Sequence, residues 1–320
     1  MKFGSCALRG LVTFAFATSC AMAAHRAVVL TTDVGADMDD QWALAHLVLS
    51  PDVDVRAVVT THTGQYPVLA PPAAESSARI ARDVLGHLPP REAAPPVIAG
   101  SSVALSSRAP LDNAGVQRIV SESRTFTADH RLVVLVIGAA TDTASALLVD
   151  RGLHERIEIV AMGFNTCADG GDVFNVRNDP IAWQVILDSD VPVTIGDSSV
   201  TKRDLAMTSE RAHALLEPAG DSGRYLAQLL DEWLATRKGL VEQLMGDAKS
   251  WPVWDEVTVA HLLGMTTVEH RTRPMLGADL AFSARPSSAT ISCVTAIDAP
   301  HLWSDLAQRL RTASAAGARR

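Results

Sequence analysis

Short apolar runs alternate with stretches of helical spacing along most of this chain. Residues 27–30, 55–60, 97–99, 131–137, 157–162 and 191–195 are compact, largely β-branched or aliphatic runs that read as buried strands. Between them, apolar residues recur at three- and four-residue intervals. Trp42, Leu44, Ala45 and Leu47 mark one helix, and Ala74, Ala78, Ile80, Ala81, Val84 and Leu85 mark a second after Pro71-Pro72. Further helical spacing covers Ala146 and Leu148, 181–187, 209–245, Val259 with Leu263, and 302–310. Residues 268–297 read as short strands or a hairpin. The proline-rich 88–96 segment reads as a surface loop, and 101–128, with no strong period, as a binding loop carrying a short helix.

Strand and helix alternate five times by Ile195, which predicts an α/β fold with a mainly parallel, doubly wound, Rossmann-like sheet covered on both faces. A C-terminal helical and hairpin portion follows. No internal repeat or low-complexity linker divides residues 24–320, so they read as one domain.

The first 23 residues do not fit that alternation. Lys2 and Arg9 precede or flank the apolar 11–17 run, and Ala21-Met22-Ala23 is a small-x-small cleavage pattern, so 1–23 reads as a signal peptide of an exported protein, periplasmic or secreted. Its removal takes two basic residues and no acid, leaving 26 Lys and Arg against 36 Asp and Glu, a net charge of −10. That balance, without a basic cluster, argues against nucleic acid or an anionic membrane as partner. Cys6 and Cys20 leave with the leader. Cys167 and Cys293 remain, too far apart for a local C-x-x-C motif, and their pairing stays open.

The candidate chemistry concentrates behind the first strand, where Asp33, Asp37, Asp39 and Asp40 fall within eight residues. Carboxylates so close repel one another and, when desolvated, hold protons unless a cation compensates. Oxygen donors of this kind suit Ca2+ or Mg2+, and Gly35 permits the tight turn a loop around an ion needs. A helix start explains Asp39 and Asp40, as cap and dipole partners, but not Asp33 at the strand end. Open α/β sheets bind ligands beyond the carboxyl ends of their strands. The polar turn Thr61 to Gln65 stands where a second strand would empty into the same crevice; Gly138 to Thr143 repeats the plan of strand, small-residue turn and helix, and Gly163 to Asp172 is a glycine- and acid-rich loop after a further strand.

Asp33-x-Gly35 followed by Asp39-Asp40 resembles the opening motif of the inosine-uridine-preferring nucleoside hydrolases. Three later segments resemble the same family in the same order: Gly138 to Thr143, Phe174-Asn175-Val176-Arg177-Asn178-Asp179-Pro180, and Trp254-Asp255. The resemblance implies that family's sheet, commonly in dimers or tetramers, and calcium-dependent hydrolysis of the N-glycosidic bond of a ribonucleoside or related ribosyl compound. It implies Ca2+ held by Asp33, Asp40, the backbone oxygen of Thr141 and Asp255. Asp33 would be the general base for a water whose pKa the ion lowers. Asp39, Asn165 and Asn175 are the residues chosen for sugar hydroxyls.

Several positions depart from the family pattern. Ala36-Asp37-Met38 lengthens the aspartate loop by two residues, so Asp37 competes with Asp39 for the sugar. Gly64-Gln65 stands where Gly-Asn is usual, and Val173, with Asp172 beside it, where many members carry a glutamate. Trp254 occupies the place of a histidine that can protonate the departing base; it can stack on a base but cannot supply a proton. His62 and His130 are the candidate replacements, and His62 is the one taken into the site. Val173 and Trp254 also motivate a second reading, a nucleoside- or sugar-binding protein that keeps the calcium site with little turnover. Phosphoryl transfer through Asp33 is disfavoured, since no glycine-rich phosphate loop follows the first strand.

Overall fold

A computed structural model describes residues 25–64, 68–90, 93–171, 174–286 and 288–317. The leader read at 1–23, Gln65, Asp172 and Val173 lie outside the described residues. Among those described, eight strands form the main sheet: β1 (Arg26–Thr32), β2 (Val53–Thr60), β3 (Val97–Ala99), β4 (Leu132–Val136), β5 (Ile157–Met162), β6 (Val193–Gly196), β7 (Thr266–Thr272) and β8 (Thr290–Ile297). Their order is β3-β2-β1-β4-β5-β6-β8-β7, with every neighbouring pair parallel except β8 and β7.

This order reverses at β1. Val28 lies opposite Val55 on one side and Val133 on the other, and Leu30 opposite Val58 and Leu135. The chain therefore winds outward from β1 in both directions, which leaves a crevice beyond the ends of β1 and β4. Alternate residues feed two cores: Val28, Leu30, Val133 and Leu135 pack into one, and Val29, Val134 and Val136 into the other. Continuous apolar strands are what a sheet covered on both faces requires.

The helices bracket this sheet. α1 (Asp39–Leu49) is buried along its whole length, packed against α2 (Ala73–His87), the helix Glu256–Leu262 and the C-terminal helix Ala299–Gly317. Trp42 Nε1 donates to the Leu226 carbonyl at 3.0 Å, anchoring α1 to the helix Asp221–Thr236. The weakly periodic 101–128 region contains α3 (Ala114–Ser123), capped by the Asn113 side chain accepting from Val116 N at 3.0 Å. After β4 comes α4 (Thr141–Val149). Asp179 caps the helix Pro180–Asp188, whose proline sits at a position where a missing N–H costs nothing.

The C-terminal strands form the expected antiparallel hairpin. β8 and β7 pair antiparallel, but β8 also joins β6 in parallel, Cys293 opposite Ile195, so the pair completes the main sheet. Ile291, Cys293 and Val294 are buried and draw β8 inward, whereas the polar sequence of β7 suits an exposed edge. Among the described residues no helix is long and apolar enough to cross a membrane.

Cys167 and Cys293 form a disulfide with Cα atoms 5.9 Å apart at a sequence separation of 126. It ties the loop after β5 to β8. Replacing both cysteines by serine is expected to lower unfolding free energy by about 2–5 kcal/mol, the usual effect for a native bridge. Urea unfolding checks this, and an unchanged midpoint would show that the bridge constrains little.

Candidate active site

Asp33 follows directly on β1, at the reversal of strand order. Its backbone is pressed against the turn after β4: a Cβ on Gly138 would lie 2.6 Å from Asp33 N and 2.9 Å from its Oδ1, so only glycine allows that approach. Gly35 has φ +100°, and a Cβ there would meet Ile80 Cδ1 at 2.3 Å. The chain thus turns sharply under α2 before α1 begins. Thr32 couples strand to helix, its hydroxyl accepting from Val34 N at 3.0 Å and donating to Asp40 Oδ1.

Asp39 and Asp40 open α1, and Asp255 stands at the head of the helix Glu256–Leu262. Carboxylate oxygens of these three buried residues lie within 4.8 Å of one another, and among the described residues they are the group of acids able to hold a metal ion. The structure therefore brings Asp40 and Asp255 together from positions 215 residues apart in the sequence. Asp39, chosen for the sugar, borders the same space. Asp33 is not one of the three, yet its charge acts on both Asp40 and Asp255.

Electrostatics make the cluster unstable as bare anions. Burial raises the pKa of Asp33, Asp37, Asp40 and Asp255 well above the ordinary carboxylate range, and repulsion from neighbouring aspartates adds to it in every case. Burial pushes Asp39 up to about 7, although N–H groups of Asp39, Asp40 and Asp255 and a hydrogen bond with the Asp255 side chain oppose it. Two carboxylates in such contact must share a proton or be bridged by a cation. Buried, hard oxygen donors with mutual repulsion fit a divalent metal ion.

Asp37 behaves differently. It is half-buried, and its Oδ2 accepts the Trp251 indole N–H at 2.8 Å. Trp251 in turn sits edge-on to Trp254, centroids 5.8 Å apart, and 5.5 Å from the ring of Trp233. The lengthened aspartate loop is thus latched to an aromatic wall in which Trp254 is half-buried.

His62 does not have the freedom expected of a proton donor. It is buried, its Nδ1 accepts from Gly64 N at 2.9 Å, and its Nε2 lies 2.8 Å from Thr141 Oγ1, whose proton goes to Asp179 Oδ2 at 2.6 Å. Thr141 must therefore accept from Nε2–H, which fixes a neutral imidazole. Burial lowers its pKa to about 4 despite the charge of Asp179. His62 is a structural member of this relay, and it braces Thr141 from behind.

Asn175 lies at the same end of the sheet, donating to the carbonyls of Ile137 (3.0 Å) and Met162 (3.4 Å) that follow β4 and end β5. Asn165 is exposed in the loop after β5, where its carbonyl accepts from Ser199 N at 3.1 Å. Two buried residues were missed from the sequence. Asn178 makes a long 3.5 Å contact from Nδ2 to Asp33 Oδ2 and packs beneath Gly64. Asp142 receives the Ser101 N–H, the Ser101 hydroxyl and the Asn113 amide, locking the turn that begins α4. Asn178 lies inside the Asn to Asp-Pro stretch already singled out, whereas nothing near Asp142 in sequence announces its partners.

The family model described as inosine-uridine preferring nucleoside hydrolase matches residues 28–304, and so takes in every carboxylate of this cluster. The chain belongs to that family. It is accordingly a hydrolase acting on N-glycosyl compounds. Solved structures agree in fold. A purine-preferring ribonucleoside hydrolase from Gardnerella vaginalis is 19% identical, with a TM-score of 0.73, over 90% of this chain and 99% of that one. The plant nucleoside hydrolase PpNRh1 is 15% identical, with a TM-score of 0.69 over the same shares. An inosine-uridine preferring nucleoside hydrolase from Bacillus anthracis is 13% identical, with a TM-score of 0.62, over 89% of this chain and 99% of that one. No curated protein sequence matches this chain.

Proposed function

We propose that this nucleoside hydrolase family member is an exported, calcium-dependent enzyme that cleaves the N-glycosidic bond of a ribonucleoside or related ribosyl compound. The observation that carries this reading is the buried carboxylate cluster at the strand-order reversal of a family member. Asp40 and Asp255 would hold the ion, with Asp33 at the end of β1 and the backbone oxygen of Thr141 at the head of α4 as its further ligands. When bound, the ion supplies positive charge that lowers the pKa of a water and leaves positions for vicinal sugar hydroxyls.

The chain's own groups do the rest. Asp33 takes a proton from the water as its oxygen bonds to the anomeric carbon, and the carbon–nitrogen electron pair departs with the base. Positive charge spreads over the sugar ring on the way, and Asp33, Asp37 and Asp39 stabilise it at close range. Asp39, at the head of α1, and Asp37, on the lengthened loop, compete for the sugar hydroxyls, and Asn175 would reach them from the sheet end. With His62 sealed, the base takes its proton from solvent and rests against Trp254. The Cys167–Cys293 disulfide supports export, since such bridges persist in oxidising compartments.

Incubation with a panel of purine and pyrimidine nucleosides and Ca2+ should release free base and ribose, detected by chromatography. Tight nucleoside binding without release from any of them would instead favour a binding protein. Trp254→Ala is expected to raise KM roughly ten- to a hundred-fold, because stacking a base on an aromatic ring is worth about 1–3 kcal/mol. An unchanged KM would place the base elsewhere.

A further inference from the structure

Behind the carboxylate cluster lies a second, largely internal set of charges. His46 is on α1, seven residues past Asp39 and so on the same helical face. Its Nδ1 is 2.9 Å from Glu256 Oε2, and its Nε2 is 2.9 Å from Asp305 Oδ2. The His46 and Glu256 side chains are wholly buried, and Asp305 is 18% exposed. Arg309 Nε also donates to Asp305. With both carboxylates ionised, a ring facing them on its two nitrogens satisfies them as an imidazolium. Burial alone would depress the His46 pKa, but Glu256 and Asp305 raise it to about 9.

The placement of these groups is informative. Glu256 follows Asp255 directly, and α1 carries Asp39 and Asp40 at its head, so the His46–Glu256 pair joins the two helices whose N-terminal ends supply the three-carboxylate group. The pair also balances charge. Glu256 and Asp305 are offset by His46 and Arg309, so the network adds nothing to the negative potential of the aspartates. Without His46, Glu256 would stand as a further uncompensated acid beside Asp255, with its Oε1 already lacking a partner.

We propose that His46 is a positioning residue for the ion site: as an imidazolium it fixes α1 against the helix Glu256–Leu262, sets Asp39 and Asp40 against Asp255, and neutralises Glu256. This rests on the metal-binding reading above. It acts through the spacing and charge of the helices, touching neither substrate nor ion.

Calcium alone, titrated by calorimetry into the full chain, is the test. Unmodified protein should bind Ca2+. His46→Gln should bind it about ten- to a hundred-fold more weakly, the usual penalty for removing a group that orients metal ligands. His46→Gln/Glu256→Gln, an uncharged pair that can still hydrogen-bond across the helices, should recover most of the affinity. The double variant keeps the question open to measurement if the single one does not fold. Nitrogen-15 shifts of His46 in the unmodified protein at neutral pH should be those of an imidazolium. A neutral ring, or folded His46→Gln with unaltered Ca2+ affinity, overturns the inference while leaving the metal reading intact. Unmodified protein that binds no Ca2+ would overturn the metal reading itself, and this inference with it.

Discussion

Asp33→Asn is expected to lower kcat for nucleoside hydrolysis by about 10²- to 10⁴-fold, the range typical of a lost general base. Asparagine preserves the shape of the side chain and its ability to accept hydrogen bonds, so the close contact with Gly138 and the long contact from Asn178 survive. What it loses is the ability to take a proton. It also removes one of several mutually repelling buried carboxylates, whose pKa values are all raised, so the folded chain should be no less stable than the parent. A second effect separates Asp33 from its neighbours: as an ion ligand its loss should weaken Ca2+ binding as well. Asp37→Asn, by contrast, alters a half-buried residue held by Trp251, so Ca2+ affinity should stay near the parent value while KM rises. The comparison requires steady-state kinetics at saturating Ca2+ together with calorimetric Ca2+ affinity. Full turnover in Asp33→Asn would transfer the base role to another carboxylate.

Much of this arrangement is legible in the sequence. The strand-end position of Asp33 and the helix-head position of Asp40 follow from where apolar runs stop and helical spacing begins. The remote partner Asp255 came only through family resemblance, because nothing in residues 33–40 points to a carboxylate 215 positions later in the chain. What stayed hidden shares one physical cause, which is that it depends on who faces whom across the core. His62 and His46 are both lone histidines in sequence. One becomes neutral because its neighbours are a backbone N–H and a threonine hydroxyl, and the other positive because its neighbours are two carboxylates. The Cys167–Cys293 bridge was undecidable for the same reason, since it required β8 to join the sheet beside β6. α1 illustrates the limit for helices: being buried on all sides, it has no polar face to mark which neighbours it meets.

Calcium affinity should rise steeply with pH through the range in which Asp39, held up at about 7, loses its proton. In the metal-free protein, burial and mutual repulsion raise the cluster's pKa values, with Asp39 at about 7. Between the ordinary carboxylate pKa near 4 and that value, the folded state therefore binds more protons than the unfolded chain. Stability of the metal-free protein must then fall as pH rises through this window, because deprotonation leaves buried charges facing one another. A divalent ion reverses the sign. It binds the deprotonated cluster, displaces those protons, and stabilises the folded state most where the metal-free form is weakest. Each displaced proton makes the affinity up to about ten-fold greater per pH unit below the relevant pKa. Calorimetry in two buffers of different ionisation enthalpy should show proton release on Ca2+ binding at about pH 6. Thermal unfolding should show the metal-free protein losing stability from about pH 5 to pH 8 and Ca2+ restoring it most at the upper end. A Ca2+ affinity flat across that range would mean that Asp33, Asp39, Asp40 and Asp255 are not the groups the ion displaces protons from, and would move the metal away from the heads of α1 and the helix Glu256–Leu262.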